Sequence, residues 1–172
     1  IWLVSSHKKG ISSLQLSRDI QVTQKTAWYM LQKIRTCFIC RNKGKLKGKV
    51  ELDETYVSGK NKNRHWDKNS QGRALNRLKT PVFGMLQRKG RVICRVVQDV
   101  TYKELTPLIY EFVNPTAILY TDEYNGYNEA GKTYTRYFVN HGQKQYVDGD
   151  IYTNTLEGFW SLLKRSIFGI YH

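Results

Sequence analysis

Three carboxylates stand where rigid backbone can hold them: Asp53 in VELDETYV, Asp122 in ILYTDEYNGY, and Glu157 in NTLEGFW, 35 positions after Asp122. The first two follow apolar, β-branched runs that read as strands, and the third sits early in an amphipathic segment that reads as a helix. Oxygen donors of this kind suit Mg²⁺ or Mn²⁺, hard ions that keep open water positions. Two such ions, held roughly 3.5–4 Å apart by shared carboxylates, stabilise the attacking and leaving oxygens of a phosphodiester. One carboxylate at a strand end is a common turn residue. Three in this order point to metal-dependent phosphodiester chemistry on DNA.

Each aspartate has an acidic neighbour. Strand alternation puts Glu51 on the face of Asp53, and turns Glu54 and Glu123 away from Asp53 and Asp122. The aspartates are therefore the expected ligands. On the last helix, Leu156, Phe159, Trp160 and Leu163 form an apolar stripe, and Glu157, Ser161 and Lys164 share the adjacent face at i, i+4 and i+7. Lys164 is placed to hold the phosphate beside the scissile one, and Arg165 next to it is assigned to DNA as well. Asn154 reads as the helix N-cap, and His141 as a loop residue at a strand end.

Elements that position these groups follow from periodicity and turn signals. Residues 11–39 read as two helices joined by a tight turn, with Ser12 or Ser13 and Thr23 as caps. Ala27, Leu31, Ile34 and Phe38 form the apolar stripe of the second helix, and Trp28 and Met30 are read as packing residues. This is a helix-turn-helix pattern, in which Thr23, Gln24 and Lys25 would meet base edges in the major groove. A Gly- and Lys-rich linker, RNKGKLKGK, sets the boundary, giving a helix-turn-helix segment over 1–45 and a second domain over 46–172. That domain opens with the strand KVELDETYV. A polar stretch with seven Lys/Arg follows, in which Lys60, Lys62 and Arg64 are expected on DNA. TPVFGMLQR and GRVICRVVQDV form a hairpin around Lys89-Gly90. TYKELTPLIYEFV is a helix with Pro107 expected in its first turn. TAILYTDEY is a buried strand, GYNEAGK a helical turn, YTRYFVNH a strand, and TNTLEGFWSLLKRSI the last helix. The order strand–strand–strand–helix–strand–helix–strand–helix is that of an α/β, ribonuclease-H-like mixed sheet with flanking helices.

Charge agrees with a polyanionic partner. The 172-residue chain carries a net +14. Residues 1–49 hold eleven Lys/Arg against the single acid Asp19, so most of the excess lies in the N-terminal arm. At 40% apolar and 13% aromatic residues the composition is that of a globular protein. No apolar run nears the roughly 18 residues of a membrane span, and no signal-peptide core is present. With three cysteines, the expectation is reduced thiols and a cytoplasmic, nucleoid-associated location.

DETYVSGKNKNRH, TDEYNGY, VNHGQKQYVDGDIYTNTLEGFWSLLKR and GIYH resemble the DDE transposases of bacterial insertion sequences, the ISXO-type group, from about Val50 to His172. The segment SSLQLSRDIQVTQKTAWYMLQKIR is similar to the helix-turn-helix of that family. The resemblance implies cleavage at element ends and transfer of the freed 3′-OH into target DNA. It also implies Asp53, Asp122 and Glu157 as ligands of two Mg²⁺ or Mn²⁺ ions, and Lys164 as a DNA contact. Partners would be terminal-repeat and target DNA, with homo-oligomers in a synaptic complex and no membrane. Some relatives carry Asn for the third acid, so Asn154 stands as an alternative to Glu157. The zinc ribbon of two Cys-x-x-Cys pairs carried by such transposases has no counterpart here, and Cys37-Phe-Ile-Cys40 alone is assigned no zinc. The expectation is a C-terminally truncated transposase; the alternative is an inactive remnant that only binds DNA.

Overall fold

A computed structural model of the chain describes residues 1–7, 9–37, 44–57, 79–139 and 152–170. It divides into two compact units: Ile1–Lys43 with Ser161–His172, and Gly44–Trp160.

In the first unit, α1 (Trp2–Ser6), α2 (Ser13–Asp19) and α3 (Gln24–Cys37) pack around Ile11, Leu16, Ala27 and Leu31. The caps are those the sequence signals. Ser12 Oγ accepts from the Gln15 amide at 3.1 Å, and Thr23 Oγ1 accepts from the Thr26 amide at 3.2 Å. Gln21 takes the left-handed conformation (φ 54°) that turns the chain between α2 and α3. Helix α1 has no counterpart in the sequence reading. Trp28 and Met30, expected to pack, are 54% and 39% exposed. The stripe from Ala27 to Leu31 already fills the narrow interface, which leaves Trp28 and Met30 on the outer side.

The second unit is a five-stranded sheet in the order β3-β2-β1-β4-β5, built from β1 (Lys49–Val57), β2 (Thr80–Gln87), β3 (Val92–Val96), β4 (Ile118–Thr121) and β5 (Thr135–Phe138). Strand β2 runs antiparallel to β1 and β3, whereas β1, β4 and β5 are mutually parallel. Helix α4 (Tyr102–Phe112) links β3 to β4, and a 3₁₀ turn (Asn125–Tyr127) with α5 (Asn128–Gly131) links β4 to β5. Helix α6 (Asn154–Gly169) follows. A mixed sheet with this order, strand polarity and helix placement is the ribonuclease-H-like fold expected from the element order. Pro107 lies at the sixth position of α4, not in its first turn. Burial of Leu105 and Ile109 on either side holds the helix through the missing N–H.

Alternation along β1 sends side chains to two covered faces. Val50 and Leu52 enter the apolar core with Phe83, Met85, Ile93, Leu105, Ile109 and Leu119. Glu51 and Asp53 face α6, where Leu156 and Trp160 are buried. Gly84, paired with Asp53 across the β1–β2 ladder, makes this seat possible. A Cβ there would overlap the six-membered ring of Trp160 and lie 3.2 Å from Leu156 Cδ1. Gly84→Ala is therefore expected to lower stability by about 1–3 kcal/mol through overpacking, read from the urea midpoint. An unchanged midpoint would mean that Trp160 is not seated on the sheet.

Candidate active site

The site begins at Glu51. Its carboxylate is 0% exposed and takes three donors: Arg88 Nε at 2.7 Å and Thr155 Oγ1 at 2.9 Å on Oε1, and the Leu156 amide at 3.0 Å on Oε2. The Leu156 amide, in the first turn of α6, is shared between Glu51 and the Thr153 carbonyl, which it also reaches at 3.1 Å. A sheet carboxylate thus caps α6 and meets the positive end of its dipole. Arg88 lies with its guanidinium carbon 4.2 Å from the Tyr120 ring centroid and 3.7 Å from that of Tyr152, and donates to the Tyr152 carbonyl at 2.7 Å. The carbonyl of Thr153 accepts the amide of Glu157 at 3.1 Å, so Thr153 occupies the N-cap position and Asn154 is the first helical residue. The reading of Asn154 as N-cap shifts by one residue, because buried Thr153 is fixed beneath the helix end.

Two residues further along β1, Asp53 meets the same helix. Trp160 Nε1 donates to its Oδ2 at 2.9 Å, and the Glu54 amide donates to its Oδ1 at 2.8 Å. Glu54 points to the opposite face, where the hydroxyl of fully buried Tyr127 donates to its Oε2. Asp122 follows the last residue of β4 and accepts the Tyr124 amide on Oδ1 at 3.0 Å. Asp122 is close enough for its charge to act on both Asp53 and Glu54.

Electrostatics at this place are unfavourable to anions. Burial, then the charge of Glu54 and more weakly that of Asp122, pushes the Asp53 carboxyl up to about 7, against the lowering effect of its Trp160 and Glu54 hydrogen bonds. Glu54 is also raised, mainly by burial. Tyr127 is held well above the ordinary phenol range by burial and the charge of Glu54. Oxygen donors crowded by like charge in a half-buried place fit a hard divalent cation. A cation there would favour the charged carboxylate and so oppose the Asp53 shift.

Glu157 is hydrogen-bonded to its own helix end. It is exposed, and its Oε1 accepts from Thr153 Oγ1 at 3.0 Å. Among the described residues, no three His, Cys, Asp or Glu side chains gather closely enough to hold an ion. Glu157 nevertheless lies one helical turn before Trp160, and residues three apart are neighbours on a helix surface. Lys164 is half-buried, and exposed Arg165 donates Nε to the Ser161 carbonyl at 3.3 Å. Thr23, Gln24 and Lys25 are exposed at the start of α3. Lys60, Lys62, Arg64 and His141 lie outside the described residues.

The groups that support the site carry weak signals in the sequence. Alternation shows Glu51 only as sharing a face with Asp53; the signal of its role is an acid in a strand buried on both faces, which demands a cation and N–H donors. Helical periodicity shows Trp160 only as packing, although a buried indole N–H requires an acceptor.

The family model of the ISXO2-like transposase domain matches residues 45–172. The chain belongs to this family. An uncharacterized protein in transposable element ISH50 of Halobacterium salinarum (strain ATCC 700922 / JCM 11081 / NRC-1) is 30% identical over 162 residues, which is 88% of this chain and 55% of that protein. The ISXO2-like chain thus spans about half the length of this relative. A solved structure, the cryoEM structure of the simian T-cell lymphotropic virus intasome in complex with PP2A regulatory subunit B56 gamma, contains a chain similar at a TM-score of 0.44 and 13% identity, over 86% of this chain and 53% of that one. Among the described residues, no helix of the transposase-family chain is long and apolar enough to cross a membrane.

The Asp53 shift has a consequence for stability. The folded chain keeps a proton at Asp53 up to about pH 7, whereas an ordinary aspartate releases it near 3.8. The native state therefore binds more protons between these values, and stability falls as pH rises through that window. In chelator, melting temperature should fall from about pH 4 to 7 more steeply for wild type than for Asp53→Asn, and the variant should be the more stable at pH 8. Parallel melting curves would contradict the assignment.

Proposed function

We propose that the chain is the DNA-cleaving and strand-joining part of an insertion-sequence transposase, with Asp53, Asp122 and Glu157 as the ligands of Mg²⁺ or Mn²⁺, two ions in all. The observation that carries the reading is the juxtaposition of Asp53 and Asp122 in a place hostile to unpaired carboxylates, in a chain whose family is that of ISXO2-like transposases. Bound divalent ions would supply Lewis-acid stabilisation of charge at the attacking and leaving oxygens.

The chain's own groups do the rest. Strands β1 and β4 hold the two aspartates on rigid backbone, and Trp160 Nε1–H fixes the orientation of Asp53. Glu157 turns from Thr153 to complete the carboxylate set. Lys164, two helical turns after Glu157 on α6, holds the neighbouring phosphate with Arg165. Thr23, Gln24 and Lys25 read bases at the element end. The basic arm, with Lys60, Lys62 and Arg64, contacts the backbone electrostatically. In the first step a water oxygen bonds to phosphorus at the element end and loses a proton, the phosphorus–O3′ bond breaks, and O3′ leaves as a hydroxyl. In the second, that O3′ bonds to a target phosphorus and loses its proton, the target's own phosphorus–O3′ bond breaks, and the target 3′ oxygen takes up a proton and leaves as a hydroxyl. Two element ends processed together require at least two copies of the chain in a synaptic complex.

That no three His, Cys, Asp or Glu side chains gather among the described residues favours one other reading, a remnant that binds DNA without cutting it. Wild-type protein with Mg²⁺ or Mn²⁺ is expected to nick duplex bearing its own terminal repeats. Asp122→Asn should abolish nicking while leaving the gel shift intact. Nicking at the wild-type rate by that variant would remove Asp122 from the mechanism, and a shift without nicking by wild type under either ion would favour the remnant.

A further inference from the structure

The turn that carries Asp122 is tied to the neighbouring strand by one side chain. Asp122 follows β4 directly, and the 3₁₀ turn begins three residues later at Asn125. Within the turn, the Tyr124 amide binds Asp122 Oδ1, and Thr121 Oγ1 donates to the Asp122 carbonyl at 2.6 Å. Four acceptors of this turn and its flanks meet one side chain from the adjacent strand. Arg136 on β5 donates Nε to Thr121 Oγ1 at 2.9 Å and Nη1 to Asn128 Oδ1 at 2.6 Å. Its Nη2 reaches the carbonyls of Asp122 at 2.9 Å and Tyr124 at 3.3 Å. All three guanidinium nitrogens are engaged, on residues that bracket Asp122 from both sides.

From this geometry we infer that Arg136 is the positioning residue for Asp122: its planar fork ties the Asp122 and Tyr124 carbonyls to the side chains of Thr121 and Asn128, so that the carboxylate keeps its place beside Asp53. The inference rests on the reading of Asp122 as a metal ligand. The guanidinium lies 5.7 Å from the centroid of the Tyr127 ring and 5.3 Å from that of Phe138, which restricts its plane. A lysine carries the same charge but presents its donors from a single point and cannot span four acceptors in one plane. Charge alone does not reproduce the clamp.

The test compares wild type, Asp122→Asn, Arg136→Gln and Arg136→Lys by Mn²⁺ titration, with free Mn²⁺ read by electron paramagnetic resonance. It is joined by amide exchange at Tyr124 and by melting in chelator. Loss of a group that orients a metal ligand weakens metal binding by about 10–100-fold. That loss is expected in both Arg136 variants, with faster exchange of the Tyr124 amide. A merely structural Arg136 would lower the melting temperature equally with and without Mn²⁺ and leave Mn²⁺ affinity unchanged. Wild-type affinity in the Arg136 variants, beside lost binding in Asp122→Asn, overturns the inference alone. Wild-type affinity in Asp122→Asn overturns the reading of the site and the inference with it. If Arg136→Gln fails to fold, Arg136→Lys, which keeps the charge, decides.

Discussion

The buried carboxylate of Glu51 is the constraint on which the rest of the site depends. An unpaired charge at 0% exposure costs several kcal/mol. The penalty is offset only when Arg88, Thr155 and the Leu156 amide all arrive. Two of these belong to the first turn of α6, so satisfying Glu51 docks that helix on β1. Arg88 in turn is held by the rings of Tyr120 and Tyr152, which ties the β2–β3 hairpin and β4 to the same point. Once α6 is docked, Trp160 falls over Gly84 and its N–H reaches Asp53.

One strand therefore carries three different tasks by alternation. Val50 and Leu52 anchor β1 in the apolar core, Glu51 and Asp53 engage α6, and Glu54 takes the hydroxyl of Tyr127 beneath the sheet. The cost is a carboxyl at Asp53 that burial first, and the charge of Glu54 second, raise to about 7. Packing sufficient to hold Asp53 and Asp122 near each other also desolvates them, and an aqueous environment would not offer that combination. The fold tolerates the charge through hydrogen bonds to each carboxylate, while oxygen lone pairs remain for a cation.

Much of this was legible because local signals agreed with the fold. The alternation in KVELDETYV marks β1 at the bounds observed, and the element order leads to the five-stranded sheet. Ser12 and Thr23 cap α2 and α3 because short hydroxyl side chains have few other uses before an apolar stripe. The misreadings are tertiary in origin. Pro107 sits inside α4 because flanking core contacts outweigh its intrinsic cost. Trp28 and Met30 are exposed because the bundle of short helices has no surface left to cover them. Arg88 resembles any hairpin cation until its partners, 37 and 64 residues away, are known. The fit of Gly84 to Trp160 is likewise a property of two distant segments, invisible to periodicity within either.

The central claim, that Asp53 and Asp122 share a divalent ion which Glu157 joins, is tested most directly by anomalous diffraction from crystals of the chain grown with Mn²⁺. The account predicts anomalous density between the Asp53 and Asp122 carboxylates, with Glu157 rotated off Thr153 toward it. Density elsewhere, or none at saturating Mn²⁺, would contradict it.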